Sequence, residues 1–127
     1  TGEFFFLEVS CRVGGAYIAN VHEHASGFSL WREWAKLETE TLENPYKPPK
    51  IRKDYAGICL ALAKDETPDT SHYTDEEIVY RVSKPKHVGL IFYSKKKERL
   101  EELLQTYSER ITNDFLAVAP AKERYDD

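Results

Sequence analysis

From Lys95 onward the apolar residues recur every three or four positions, with Leu100, Leu103, Leu104, Tyr107, Ile111 and Phe115 on a single stripe. That is the 3.6-residue period of an α-helix that buries one face, so whatever precedes it must supply a surface to bury it against. Three strand-like runs do so. Tyr55 to Ala63 is a nearly unbroken apolar run suited to a buried strand, Glu77 to Ser83 alternates with Ile78, Tyr80 and Val82 on one side, and Val88 to Tyr93 is a third strand. Thr67-Pro68-Asp69-Thr70-Ser71 and Ser83-Lys84-Pro85-Lys86 carry the turn residues between them. The pattern predicts an α+β fold: a largely antiparallel sheet flanked by helices.

The first part of the chain reads differently. Residues Glu3 to Val13 alternate as a strand would, Gly14-Gly15 ends that strand, and Ala16 to about Ala25 has room for a short helix before Ser26-Gly27 breaks it. Leu30, Trp34, Leu37 and Leu42 then recur at helical spacing between Ser29 and Leu42, with Ser29 as N-cap, which predicts an amphipathic helix packing on a core. Trp31 and Trp34, three apart, are expected in core or inter-lobe packing. The stiff segment from Asn44-Pro45 to Pro48-Pro49 is the best internal boundary and divides the chain into residues 1–52 and 53–127. Phe4, Phe5 and Phe6 are expected in the core, and the charged tail from Pro120 to Asp127 is expected to fray.

Size and charge limit the functions. A chain of 127 residues can form one core and bury roughly 65 to 70 % of its unfolded surface. No apolar run approaches the ~18 residues a bilayer requires, so a membrane partner is not expected. The net charge of −4 lacks the footprint of a nucleic-acid binder, despite the basic cluster Lys95, Lys96 and Lys97. Cys11 and Cys59 both sit in apolar strand-like runs and read as small buried thiols, which fits the reduced cytoplasm. With no initiating Met and no signal peptide before the first strand, the chain is expected to be a piece of something longer.

Chemistry concentrates in the first strand. Period-2 alternation puts Phe4, Phe6, Glu8, Ser10 and Arg12 on one face, so that Glu8, Ser10 and Arg12 form a row with a repeat of about 7 Å. Charged groups among such apolar neighbours need partners. Gly14-Gly15 follows at once, permitting close approach of backbone to a ligand ahead of a helix N-terminus that favours an anion. A carboxylate for a hard cation, a guanidinium for phosphate or carboxylate, and bare amides beside them are the parts of a phosphate-chemistry site.

The run Glu8-Val9-Ser10-Cys11-Arg12-Val13-Gly14-Gly15-Ala16-Tyr17-Ile18 resembles the last catalytic strand of the ATP-grasp superfamily, whose pattern is Glu-x-Asn-x-Arg, often followed by Gly-Gly and an apolar residue. His24-Ala25-Ser26-Gly27-Phe28-Ser29-Leu30 is similar to the segment that follows it in carboxylate-amine ligases and biotin-carboxylase-like members. Asp54-Tyr55-Ala56-Gly57 and His87-Val88-Gly89-Leu90-Ile91-Phe92 more loosely resemble the C-terminal subdomain of such enzymes.

The resemblance implies a C-terminal fragment of an ATP-grasp fold, with residues 1–52 from the catalytic core and 53–127 a C-terminal α+β subdomain. It implies that Glu8 is a magnesium ligand between the ions held by the ATP phosphates, and that Ser10 stands at the position of the family's Asn. A hydroxyl is a shorter, weaker ligand than an amide oxygen. Arg12 would bind the carboxylate substrate or its acyl-phosphate and stabilise the charge of phosphoryl transfer. Gly14, Gly15 and Ala16 would line the substrate pocket. The parent enzyme would use ATP and Mg2+ to join a carboxylate to an amine, whereas the fragment, lacking the N-terminal ATP-grasp lobes, would be inactive alone. A biotin-carboxylase-like or carbamoyl-phosphate-synthase-like enzyme using bicarbonate is the alternative within the fold, and a non-catalytic α+β binding module is the alternative outside it. Whether the parent is a homodimer is not fixed by the sequence. His22 and His24 are expected at the surface or lining substrate, and His72 and His87 in or beside turns without catalytic roles.

Overall fold

The computed structural model describes residue 2 and residues 12–117. The expected strand Glu3–Val13 therefore falls largely outside the described residues, as do Phe4, Phe5, Phe6, Glu8, Ser10, Cys11 and the tail from Pro120. The order of elements is α1 (Ile18–Ser26), α2 (Leu30–Glu38), β1 (Tyr55–Leu62), β2 (Ile78–Arg81), β3 (His87–Ser94) and α3 (Lys97–Phe115). The strands form an antiparallel sheet in the order β1-β3-β2, so the α+β class is as expected.

The sheet places β3 in the middle, and β3 is accordingly the most apolar and most buried strand. Its alternate residues Val88, Leu90 and Phe92 face α3, where Leu100, Leu103, Tyr107, Ile111 and Phe115 meet them in one cluster. The register Cys59↔Leu90 and Ala61↔Val88 puts Cys59 and Ala61 of β1 on that same face. Gly57 opens a slot for Leu104, whose Cδ1 lies 2.8 Å from where a glycine Cβ would stand. Cys59 is a free, half-buried thiol whose Sγ donates to the Leu104 carbonyl, and burial pushes its ionisation up.

The ends of α3 are anchored by polar groups. Arg99 Nε donates to Glu77 Oε1 at 2.7 Å and Nη2 reaches Asp75 Oδ1 at 3.2 Å, tying the first turns to the loop before β2. Tyr107 hydroxyl donates to Asp75, and buried Tyr73 donates to Asp114 at 2.7 Å. The Arg110 guanidinium lies 4.3 Å from the Tyr73 ring and 4.7 Å from the Tyr107 ring, a double cation–π contact.

On the opposite sheet face α1 packs against β1 and β3, and Ile91 on that face is fully buried. The helix begins two residues later than expected because Ala16 (φ 49°) and Tyr17 (φ 65°) are left-handed. It ends at Gly27 (φ 72°), whose N–H bonds the Glu23 carbonyl, a left-handed stop suited to glycine. The segment leading into β1 returns to this helix end: Arg52 N–H donates to the Ser26 carbonyl at 2.7 Å and Arg52 Nη2 to the His24 carbonyl at 3.0 Å.

Two sequence expectations are corrected here. Ile78, Tyr80 and Val82 do not share one side of β2. A register shift between Ile78 and Tyr80 pairs Ile78 with Phe92 but Tyr80 with Ile91, so Ile78 packs with the α3 core while Tyr80 and Val82 turn to the α1 face. One extra residue in a strand reverses its alternation.

The second correction concerns α2. It stops at Glu38 rather than reaching Leu42, and Leu42 is fully exposed. Trp31, Trp34 and Leu37 are exposed too, at 57, 38 and 46 %, so the described residues give this apolar face no core. The two indoles stack on each other instead, with centroids 5.7 Å apart. Ser29 does hold the N-cap position, but its side chain makes no capping bond. Among the described residues no helix is long and apolar enough to cross a membrane.

Candidate functional site

The loop from Arg12 to Tyr17 enters α1 and separates two open cavities, with Gly14 lining both. Arg12 is exposed and, with Val13, lies outside any strand. Gly15 has nothing within 4 Å of its added Cβ position, so its backbone is uncovered. Left-handed Ala16 and Tyr17 turn the chain sharply into the helix, and the Tyr17 ring rests 5.8 Å from that of Tyr80.

The first cavity, about 410 Å³, runs from Gly14, Gly15 and Ala16 to Asn20, Lys84 and His87. Lys84 and His87 flank the turn between β2 and β3, closed by a His87 N–H to Lys84 carbonyl bond of 3.1 Å with Lys86 left-handed (φ 59°). His87 Nδ1 lies 2.8 Å from the Pro85 carbonyl, which orients the ring and leaves Nε2 for other partners. Bare glycine backbone facing an ammonium and an imidazole suits an anionic group.

The second cavity, about 440 Å³, is lined by Arg12, Phe28, Glu33, Trp34, Leu37 and Tyr46 among others. Its walls are mostly apolar, with Arg12 and Glu33 as the charged members. Glu33 is only 5 % exposed. Lys36 Nζ donates to Glu33 Oε1 at 2.7 Å, and the Tyr46 phenol stands beside the buried Oε2 as the neighbouring donor, without a hydrogen bond of normal geometry. The Lys36 hydrogen bond, helped by nearby Tyr46, holds the Glu33 carboxyl below its ordinary range, so it is ionised at neutral pH. Burial and the Glu33 carboxylate push the Tyr46 phenol up. Tyr46 is set in place by its backbone N–H, which donates to Glu40 Oε2 at 3.0 Å.

Of the residues singled out in the sequence, Arg12, Gly14, Gly15 and Ala16 are thus brought together on one loop, whereas Glu8 and Ser10 lie outside the described residues. Among the described residues no three His, Cys, Asp or Glu side chains gather to hold a metal ion. His22 is engaged locally, with Nδ1 3.1 Å from the Phe28 carbonyl, and does not line either cavity. Sequence reasoning passed over Glu33, Lys84 and His87 as site residues. Glu33 had a signal: Leu30, Glu33, Trp34 and Leu37 fall at i, i+3, i+4 and i+7, so a carboxylate interrupts an otherwise apolar stripe. Lys84 and His87 had none, because only the fold brings that turn to the glycine loop.

No protein-family model matches the chain, and neither a curated protein nor a solved structure matches it.

Proposed function

We propose that this chain is the C-terminal part of an ATP- and magnesium-dependent ligase of the ATP-grasp type, joining a carboxylate to an amine through an acyl-phosphate. The reading is carried by one observation: an exposed guanidinium, Arg12, stands beside uncovered glycine backbone on a loop between two cavities, within the run Glu8-x-Ser10-x-Arg12-Val13-Gly14-Gly15. In this scheme a carboxylate oxygen takes the γ-phosphoryl group of ATP and ADP leaves. The amine then attacks the acyl carbon, phosphate departs, and the nitrogen loses a proton. Arg12 binds the carboxylate and stabilises the charge that develops as phosphate is transferred and released. Gly14, Gly15 and Ala16 leave space for the organic part of the substrate. Magnesium, for which Glu8 and Ser10 are the candidate ligands, supplies charge neutralisation at the phosphates when bound.

Bicarbonate is the substrate of the alternative, carboxylase-like reading. Cavities of about 410 and 440 Å³ favour a larger carboxylate. The test is ADP release by the full-length protein carrying this sequence, with Mg·ATP and a panel of organic carboxylates paired with amines. A pair-dependent rate supports the proposal. Release with bicarbonate alone supports the carboxylase alternative, and no nucleotide binding at all supports a non-catalytic module.

A further inference from the structure

The reaction proposed above leaves one proton without a receiver. An amine near neutral pH is mostly an ammonium ion with no lone pair, so it attacks an acyl carbon only after losing a proton, and a positioned base speeds such a step by about a hundredfold to ten-thousandfold. The residues around the two cavities leave few candidates. Glu33 is sealed and paired with Lys36, Arg12 and Lys84 are cations, and Tyr17 and Tyr46 are phenols. His87 is the one imidazole among the described residues lining either cavity.

Its position follows from the sheet. Val88 and Leu90 face α3, so His87 falls on the other face, where its register partner is Leu62 and where Leu60 also lines the first cavity. The turn before it is held on three sides. The Ala63 N–H donates to the Lys86 carbonyl at 2.9 Å, the Lys86 N–H to the Glu66 carbonyl at 3.0 Å and the His87 N–H to the Lys84 carbonyl at 3.1 Å. A group fixed in this way gives up little freedom on meeting a substrate.

One hydrogen bond decides what the ring can do. His87 Nδ1 lies 2.8 Å from the Pro85 carbonyl, and a carbonyl oxygen only accepts, so Nδ1 holds a proton. In the neutral ring Nε2 therefore carries the lone pair, and it makes no hydrogen bond among the described residues.

From this fixed tautomer, in one cavity of about 410 Å³ with the Gly14-Gly15 loop, we infer that His87 Nε2 is the base that takes the proton of the incoming amine. The inference rests on the ligase reading. The ammonium gives one proton to Nε2, and its freed electron pair bonds to the acyl carbon of the acyl-phosphate. The bond from that carbon to the phosphate oxygen breaks, and its electron pair leaves with the phosphate, which takes up the second nitrogen proton as the amide forms. His87 then releases its proton to water. Lys84 lines the same cavity, where its positive charge favours both the discharge of the ammonium and the departure of the phosphate.

Exchange of the nucleophile tests this in the full-length protein. Hydroxylamine is uncharged near neutral pH and meets the acyl carbon with its electron pair already free, whereas an ordinary amine does not. His87→Asn keeps an amide N–H to replace Nδ1–H at the Pro85 carbonyl and removes Nε2. It lowers kcat/KM for the amine that supports ADP release by about a hundredfold or more, and leaves hydroxamate formation from hydroxylamine near the wild-type rate. His87→Gln replaces it should the Asn variant misfold. An unchanged rate with the amine, or an equal loss with both nucleophiles, overturns the assignment and leaves the ligase reading in place. Wild-type protein that forms neither amide nor hydroxamate with any carboxylate of the panel removes the ligase reading and this inference with it.

Discussion

The Tyr17 ring lies against the Tyr80 ring at a centroid distance of 5.8 Å, with the two planes inclined by 46°. This contact joins the left-handed turn after Gly14-Gly15 to β2, and β2 presents Tyr80 there because its register shift turns the residue to the α1 face. A double-mutant cycle of Tyr17→Ala and Tyr80→Ala is predicted to give a coupling of about 0.5–1.5 kcal/mol in urea unfolding. Strict additivity would mean that the turn is held by something else.

Two glycines are predicted to respond unequally to alanine. A Cβ at buried Gly89 would stand 2.7 Å from Val82 Cγ2, 2.8 Å from Leu60 Cδ1 and 3.3 Å from the Cys59 carbonyl oxygen. Gly89→Ala is therefore expected to lose about 1–3 kcal/mol of stability through overpacking. At Gly15 nothing lies within 4 Å, and Gly15→Ala should stay within about 0.5 kcal/mol of wild type. Any loss of turnover in Gly15→Ala then reports on the site and not on the fold. Thermal melts of both variants decide the matter.

Acid should loosen the attachment of α3. The Arg99 hydrogen bond is the main influence on Glu77 and holds it below its ordinary value of 4.5. A carboxyl whose folded value is depressed contributes stability above its unfolded value, and that contribution is lost as pH falls through the folded one. The stability gap between wild type and Arg99→Gln should accordingly be widest near neutrality and narrow as pH falls from about 5 through the ordinary glutamate range and below it. A gap that stays constant over that range would assign the effect of Arg99 to packing alone.

If the proposed reaction holds, Arg12→Ala in the full-length protein lowers the turnover for ADP release by about a hundredfold or more, because in that scheme its positive group faces charge that develops only during the reaction. Glu8→Gln is predicted to shift the dependence on magnesium concentration. Unchanged kinetics in both variants would remove these residues from the chemistry.

Much of this architecture is legible in the sequence where one physical requirement dominates. The α3 stripe from Leu100 to Phe115 and the β3 run are read correctly because each buries a whole face, and Ser26-Gly27 ends α1 as glycine chemistry dictates. What periodicity misses are local departures from it. The register shift in β2 defeats a period-2 reading of Ile78 and Tyr80, and the left-handed Ala16 and Tyr17 delay α1 although neither residue favours that conformation. The face of Trp31, Trp34 and Leu37 has helical spacing but no core among the described residues, since spacing specifies a face and not what covers it. At the site, Arg12 to Ala16 are adjacent in the chain and so visible together, whereas Lys84 and His87 join them only through the sheet. Glu33 shows in the pattern only as a polar interruption, and its meaning comes from the burial of its carboxylate.

The central claim is that a carboxylate is activated as an acyl-phosphate in this protein, and oxygen-18 transfer measures it directly. With a carboxylate substrate labelled on both oxygens, Mg·ATP and an amine, the account predicts one labelled oxygen in each inorganic phosphate released and one retained in the amide product. Amide formed with inorganic phosphate that carries no label would contradict it.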